Sequence, residues 1–333
     1  MQEQLRETCR RLLDEGTVKV VIGYGQASPD GPVHPIFVTR AEDAGQLVWN
    51  DRCLANLTVY LSSKEIQTLG RPAIVVKGCD ERALVVLEKE SQIDRSQIVV
   101  LGMACSGAQR PHEPKCSACD VAAPRRADFL IGEPEGGPDN LLSGCRRHET
   151  SPQDPLVADQ CSASVPGPGQ PSCPGHPVVS PAPSDGQKTP SGGPSGRYAD
   201  LDAFLQKPVD ERMAFWQEEL ARCVKCYACR QVCPLCYCPR CIVDKNRPVV
   251  VSPSATLKGN FAWHITRAFH LAGRCVGCDE CTRACPVGID LRLLNLSLAK
   301  AAEEDFAFRA GMDPEAEPIV GAYSDQDRED FIR

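Results

Sequence analysis

The sequence predicts an N-terminal α/β domain with a largely parallel sheet, followed by a C-terminal α-helical domain organised by cysteines. Three observations carry this. Continuous apolar runs at 71–78 and 97–105 flank a helical segment, the pattern of parallel strands covered on both faces. After residue 198 a helix followed by a four-cysteine run occurs twice. Between the two regions lies a stretch dominated by Pro, Gly and Ser.

The elements follow in order. MQEQLRETCRRLLDEG places Leu5, Cys9, Leu12 and Leu13 on one face of an amphipathic helix. TVKVVIGYG (17–25) and HPIFVTR (34–40) read as strands, AEDAGQLVWN (41–50) as a short helix, and NLTVYL (56–61) as a further strand. RPAIVVKG (71–78), CDERALVVLEKE (79–90) and QIVVLGMAC (97–105) then form a strand–helix–strand unit. We expect this domain to occupy 1–133 and a disordered insert to occupy 134–197. Cys145, Cys161, Cys173, His148 and His176 fall in that insert and read as incidental side chains. The helical domain spans 198–312. Its first helix (208–223) has Pro208 in its first turn and Phe215, Trp216 and Leu220 as apolar anchors. The second (261–275) stops at Gly273, and a third covers 289–304. Beyond Asp305 the chain is irregular, and 313–333 forms an acidic tail, suited to lying along a partner or to fraying.

The bulk numbers narrow the function classes. A net charge of −7 and a pI near 5.5 argue against a nucleic-acid or anionic-membrane surface. No apolar run is long enough for a membrane span, and the N-terminus has no signal-peptide core. Twenty cysteines in such a chain imply a reducing cytoplasm, where thiols serve as metal ligands rather than as a disulfide scaffold.

Eight of those cysteines fall in two copies of C-x2-C-x2-C-x3-C-P. Cys223, Cys226, Cys229 and Cys233 lead into Pro234, and Cys275, Cys278, Cys281 and Cys285 lead into Pro286. Three thiolates at i, i+3 and i+6 on a tight loop can wrap three corners of a cubane, while the longer step swings the next thiol away. In this spacing the fourth cysteine serves the other run's cluster. Cys223, Cys226, Cys229 and Cys285 are therefore expected to hold one [4Fe–4S] centre, and Cys275, Cys278, Cys281 and Cys233 a second. Zinc sites more often read as separate C-x2-C pairs or mixed Cys/His sets.

A third site is expected in the α/β domain. Cys79 follows one strand and Cys105 ends the next, so a right-handed crossover puts both at the same sheet edge. Cys116 and Cys119 supply a C-x2-C in a loop at that edge. Four converging thiols suit a further [4Fe–4S] cluster, with zinc or plain core burial as the alternatives. Asp80 is placed to cap the helix that begins there. Cys236, Cys238 and Cys241 extend the first run and suggest another metal site, or an alternative ligand to Cys233, with Cys53 a candidate fourth partner. They read equally as thiols packed under the loops. Arg222, Lys225, Arg230, Arg240, Arg274 and Arg283 flank the runs and could offset cluster charge, or simply face solvent. His264 and His270 read as core or surface residues, because the cysteines already complete both cubanes. Lys77 and Gly78 could approach a phosphate but read as a turn. No catalytic residue is assigned.

Several phrases together resemble a known family. VKGCDERAL (76–84), the strand ending at Cys105, the Cys116/Cys119 pair and DFLIGE (128–133) resemble the beta subunits of coenzyme F-420 (deazaflavin) hydrogenases and dehydrogenases. RCVKCYACRQVCPLCYCPRC (222–241) and AFHLAGRCVGCDECTRACPVGI (268–289) resemble members with an attached dicluster domain. The fifty-two-residue separation of Cys223 and Cys275 is similar to that of helical ferredoxin domains rather than compact ones. The resemblance implies iron–sulfur electron transfer within a larger oxidoreductase, with heterodisulfide-reductase-type, hydrogenase or formate-dehydrogenase-type partners. It also allows FAD and hydride transfer to or from a deazaflavin or nicotinamide, although Gly23 and Gly25 lack a full dinucleotide fingerprint. A zinc-rich interaction scaffold is the third function class.

Overall fold

The computed structural model describes residues 1–105, 113–117, 119–133, 196–245 and 247–319. The insert cysteines and histidines named above, most of the 134–197 segment and the tail from residue 320 lie outside the described residues.

Helix α1 (Gln2–Asp14) buries Leu5, Cys9 and Leu12 against a five-stranded sheet. Its strands are β1 (Val20–Gln26), β2 (Val33–Val38), β3 (Pro72–Lys77), β4 (Val99–Met103) and β5 (Phe129–Ile131), in the order β2-β1-β3-β4-β5. β2 pairs antiparallel to β1 at one edge, and the remaining pairs are parallel. The central strands β3 and β4 are apolar at every buried position except Lys77, the last residue of β3, because both faces are covered. β2 is less buried and carries Pro35, whose missing N–H an edge strand tolerates. Gly23 and Gly25 lie inside β1, not at a strand-to-helix turn.

One expectation fails. The segment at 56–61 is not a strand but part of a 3-10 helix, Leu57–Ser62. The Asn56 side chain caps it by accepting from the Thr58 N–H at 3.1 Å. The β-branched and aromatic residues there pack on the core through Leu57, Thr58 and Leu61 rather than through a ladder. The helix expected at 41–50 is likewise 3-10, over Ala41–Gln46. Helix α2 (Lys64–Leu69) follows, capped by the Ser63 hydroxyl.

Helix α3 (Gly78–Lys89) joins the two halves of the molecule. Leu84 packs on the sheet core, while Ala83, Val86 and Leu87 pack against Leu235, Leu271, Val276 and Ala310 of the C-terminal region. The continuous apolar run at 83–87 puts apolar side chains on more than one side of the helix, and each side is covered. Short α4 (Pro114–Ser117) carries Cys116.

The C-terminal region contains α5 (Ala199–Leu205), α6 (Val209–Ala221), α7 (Ala228–Gln231), α8 (Leu257–His270), α9 (Glu280–Arg283) and α10 (Leu291–Phe306). Phe204, Phe215 and Trp216 stack edge to face, with centroids 4.9–5.8 Å apart, and hold α5 to α6. Past α10 the chain returns along α3. Arg82 donates to the Ala310 carbonyl (3.0 Å), and Lys89 hydrogen-bonds the Ala316 carbonyl. Among the described residues no helix is long and apolar enough to cross a membrane.

Gly78 sets how closely the sheet edge packs. A Cβ there would lie 2.7 Å from the Val121 carbonyl oxygen and 2.9 Å from that of Ala123. Gly78→Ala should therefore cost about 1–3 kcal/mol of stability, because backbone cannot move aside cheaply. Gly45→Ala, with nothing within 4 Å of its Cβ, serves as the control and should stay within about 0.5 kcal/mol. Denaturation of the two variants side by side checks this.

Candidate metal centres

Both cysteine runs fold onto the same backbone. In the first, Lys225 (φ 54°) and Tyr227 (φ 59°) adopt the left-handed conformation. In the second, Gly277 (φ 67°) and Asp279 (φ 59°) do so at the corresponding positions. Non-glycine residues rarely accept this region, and it concentrates at functional sites. It turns backbone N–H groups toward sulfur. The Lys225 N–H lies 3.4 Å from Cys223 Sγ, and the Ile289 N–H lies 3.4 Å from Cys285 Sγ. The Gly277 N–H donates to Cys275 in the same way. After each turn comes one turn of helix, α7 or α9, bearing Cys229 or Cys281.

The runs interleave. Cys229, Cys223, Cys285 and Cys281 pack around Leu220, Ile289 and Leu291. Cys233, Cys275 and Cys278 pack around Leu235, Leu271 and Val276. Cys285 is thus beside the first run and Cys233 beside the second. Electrostatically Cys223 faces Cys285 and Cys226, while Cys281 faces Cys275 and Cys233. Cys226 is exposed at the surface.

Helix α8 inserts cations and dipoles between these groups. Arg267, 4 % exposed, donates to the Cys229 carbonyl at 3.0 Å. Burial alone would lower its pKa, but Cys233, Cys281, Cys236 and Cys229 raise it above the usual guanidinium value. Its Nε is buried without a hydrogen-bond partner. A donor left over among thiols is what a sulfide-bearing anion would satisfy. His264 Nε2 lies 3.3 Å from Cys223 Sγ. Burial, then Arg267 and Lys225, push its pKa down to about 4, so the ring is neutral and with its proton on Nε2 donates to sulfur. Asn295 Nδ2 approaches Cys281 Sγ at 3.5 Å. Sequence reasoning missed Arg267, and it took His264 for an ordinary core or surface residue. Both sit at i, i+3 on the apolar face of α8, where a polar side chain needs a partner.

The α/β domain gathers a further set. Parallel pairing of Lys77 with Met103 aligns the ends of β3 and β4. Cys79 then begins α3 and Cys105 follows β4, its N–H donating to the Ala122 carbonyl at 2.8 Å. Cys79, Cys105, Cys116 and Cys119 line one cavity, together with Lys77, Arg82 and Lys115. Asp80 caps α3 by accepting from the Lys77 N–H (3.2 Å) and pairs with Lys77 Nζ (2.6 Å). Burial would lower the Lys77 pKa, but Asp80 holds it well above its usual value. Lys77 also hydrogen-bonds the buried Tyr24 hydroxyl, so it is committed to the core rather than open to a phosphate.

Burial pushes the Cys79 and Cys281 thiols up to about 12 and those of Cys229 and Cys275 to about 11. They become thiolates only against a compensating positive charge, which couples metal binding to proton release. The donor sets and surrounding cations fit an anionic thiolate-held group. Among the described residues no group of three or more His, Cys, Asp or Glu side chains is gathered tightly enough to hold a single metal ion.

The remaining cysteines have distinct surroundings. Cys236 hydrogen-bonds Cys233, Cys238 is exposed, and Cys241 packs beside Val243, Val251 and Trp263. Cys53 lies in the sheet-domain core, with the Asn50 N–H 3.4 Å from its sulfur.

Comparison with known proteins bears on the two cysteine runs and on the chain as a whole. The family described as a 4Fe-4S dicluster domain matches residues 222–290. The F420-dependent formate dehydrogenase 1 subunit beta of Methanococcus maripaludis is 23% identical, covering 93% of this chain and 90% of the relative. The F420-dependent formate dehydrogenase subunit beta of Methanocaldococcus jannaschii is 21% identical, covering 92% and 91%.

His264→Leu removes a donor to Cys223. It should lower the midpoint potential of the centre bound through Cys223 by roughly 20–60 mV, the equivalent of one net hydrogen bond. Potentiometry followed by electron paramagnetic resonance reads the shift.

Proposed function

We infer that the chain is an iron–sulfur electron-transfer subunit of a multisubunit oxidoreductase. The observation that carries this is the dicluster match across the two interleaved cysteine runs, within a chain alignable over nine-tenths of its length with formate dehydrogenase beta subunits. When bound, a [4Fe–4S] cluster takes up and releases single electrons.

The packing supports a finer assignment. Cys223, Cys226, Cys229 and Cys285 form one ligand set, and Cys275, Cys278, Cys281 and Cys233 form the other. Cys79, Cys105, Cys116 and Cys119 form a third, at the carboxyl edge of the sheet. The chain's own residues tune these sites. Arg267 offsets charge between the two runs, backbone N–H groups and His264 donate to sulfur, and Lys77, Arg82 and Lys115 balance the third set. No general base or nucleophile is needed for this role. The partner is another oxidoreductase subunit, of the formate-dehydrogenase, hydrogenase or heterodisulfide-reductase type, in the cytoplasm.

A second reading has FAD in this chain and hydride transfer to or from a deazaflavin or nicotinamide. The F420 dependence in the relatives' names favours it. Flavin retained one-to-one after reconstitution, and reduced together with the clusters, would establish that reading instead.

Iron and acid-labile sulfide should appear in equal amounts. Two cubanes give about eight irons per chain and a third about twelve. Cys79→Ala should lose about four irons and one paramagnetic signal while the other two signals persist. Unchanged iron in that variant rules out the third set.

A further inference from the structure

The cavity that holds the third thiol set reaches the ferredoxin-like region. Cys275 lines it beside Cys79, Cys105, Cys116 and Cys119, whereas Cys223, Cys226, Cys229 and Cys285 do not. One side chain crosses the gap. Lys115 immediately precedes Cys116, yet its Nζ donates to the Cys278 carbonyl at 3.1 Å and to the Leu54 carbonyl at 2.9 Å. A second crossing lies beside it. Arg82 projects from α3, one turn after Cys79, and donates to the Val276 carbonyl at 2.9 Å. The loop before Leu57 completes the seam, since Glu280 Oε1 accepts from the Asn56 N–H at 2.8 Å.

Resting on the ligand sets assigned above, we propose that Lys115 is a positioning residue that couples the third thiol set to the set of Cys275, Cys278, Cys281 and Cys233. That second set is then the third set's immediate electron-transfer neighbour, and the set of Cys223, Cys226, Cys229 and Cys285 lies farther along, where Cys226 reaches the surface.

The physical basis is charge at short range. The Lys115 ammonium lines the cavity of the third thiol set beside Cys79 and Cys116, and at the same time lies 3.1 Å from the Cys278 carbonyl of the second set. Reduction adds one negative charge to a thiolate-held cluster, so a cation close to two such groups favours the reduced form of each and raises both potentials. A cation serving only the C-x2-C loop would act on one. The side chain is also fixed by two carbonyl acceptors, which keeps its charge at the seam instead of in solvent.

The test compares the reconstituted full chain with Lys115→Gln and Lys115→Arg. Midpoints are read by redox titration with electron paramagnetic resonance, and signals are assigned with Cys79→Ala, Cys275→Ala and Cys223→Ala. Lys115→Gln should keep its iron and lower two midpoints together, those of the third set and of the Cys275 set, while the Cys223 set is unmoved. Lys115→Arg should restore both. In the fully reduced native chain, magnetic coupling should broaden the third signal through the Cys275 set and disappear in Cys275→Ala. A shift confined to the third set, no shift, equal shifts in all three, or iron loss in Lys115→Gln overturns the proposal. A native chain with only about eight irons would instead remove the third centre itself, and the ligand assignment with it.

Discussion

On the proposed ligation, the exchange of one cysteine between the two runs is the constraint on which the rest of the C-terminal region depends. Each run can wrap three thiols around a group but directs its fourth away, and that fourth thiol packs beside cysteines of the other run. The left-handed residues at Lys225, Tyr227, Gly277 and Asp279 are tolerable only because the loops are held from both sides. Helix α6 delivers the first run and α8 the second, and Asn260 of α8 donates to the carbonyls of Leu220 (2.8 Å) and Cys223 (2.9 Å). The helices and the crossed thiols specify one arrangement between them.

Charge is the second requirement. Thiols raised by burial must all ionise to serve as ligands, and buried negative charge is costly unless balanced. Buried or half-buried cations lie beside the thiols: Arg267 between the two runs, and Lys77, Arg82 and Lys115 in the cavity lined by Cys79, Cys105, Cys116 and Cys119. These cations tie separate segments together as well. Arg274 pairs with Glu90 at the end of α3, and Tyr237 donates to the same carboxylate at 2.7 Å. Gly311 (φ 70°) lets the returning chain lie directly on the Arg82 backbone, where any Cβ would collide with the carbonyl. The sheet domain and the cysteine runs therefore pack as parts of one compact unit.

Much of this was legible in the residues. The cysteine spacing pointed to two runs that pack against each other, and two apolar runs around a helix carried the parallel sheet and the edge on which Cys79 and Cys105 line one cavity. What escaped was information that only tertiary contact supplies. NLTVYL has strand composition, but Asn56 caps a 3-10 turn and the core takes its apolar side chains without a ladder. Arg267 looks in sequence like any arginine on a helix, and only folding shows that it faces four cysteines. Lys77 looked like a group at a turn and is instead a buried ion pair. The α3 sequence held a further overlooked signal, since the apolar run at 83–87 reaches more than one side of the helix and announces more than one neighbour.

The crossed ligation is tested most directly by removing Cys285 and asking which centre disappears. With Cys285→Ala in the reconstituted chain, the paramagnetic signal lost should be the one also lost in Cys223→Ala, and the signal abolished by Cys275→Ala should persist. Loss of the Cys275-dependent signal, with the Cys223-dependent one intact, would mean that each run serves its own cluster, and would contradict the account.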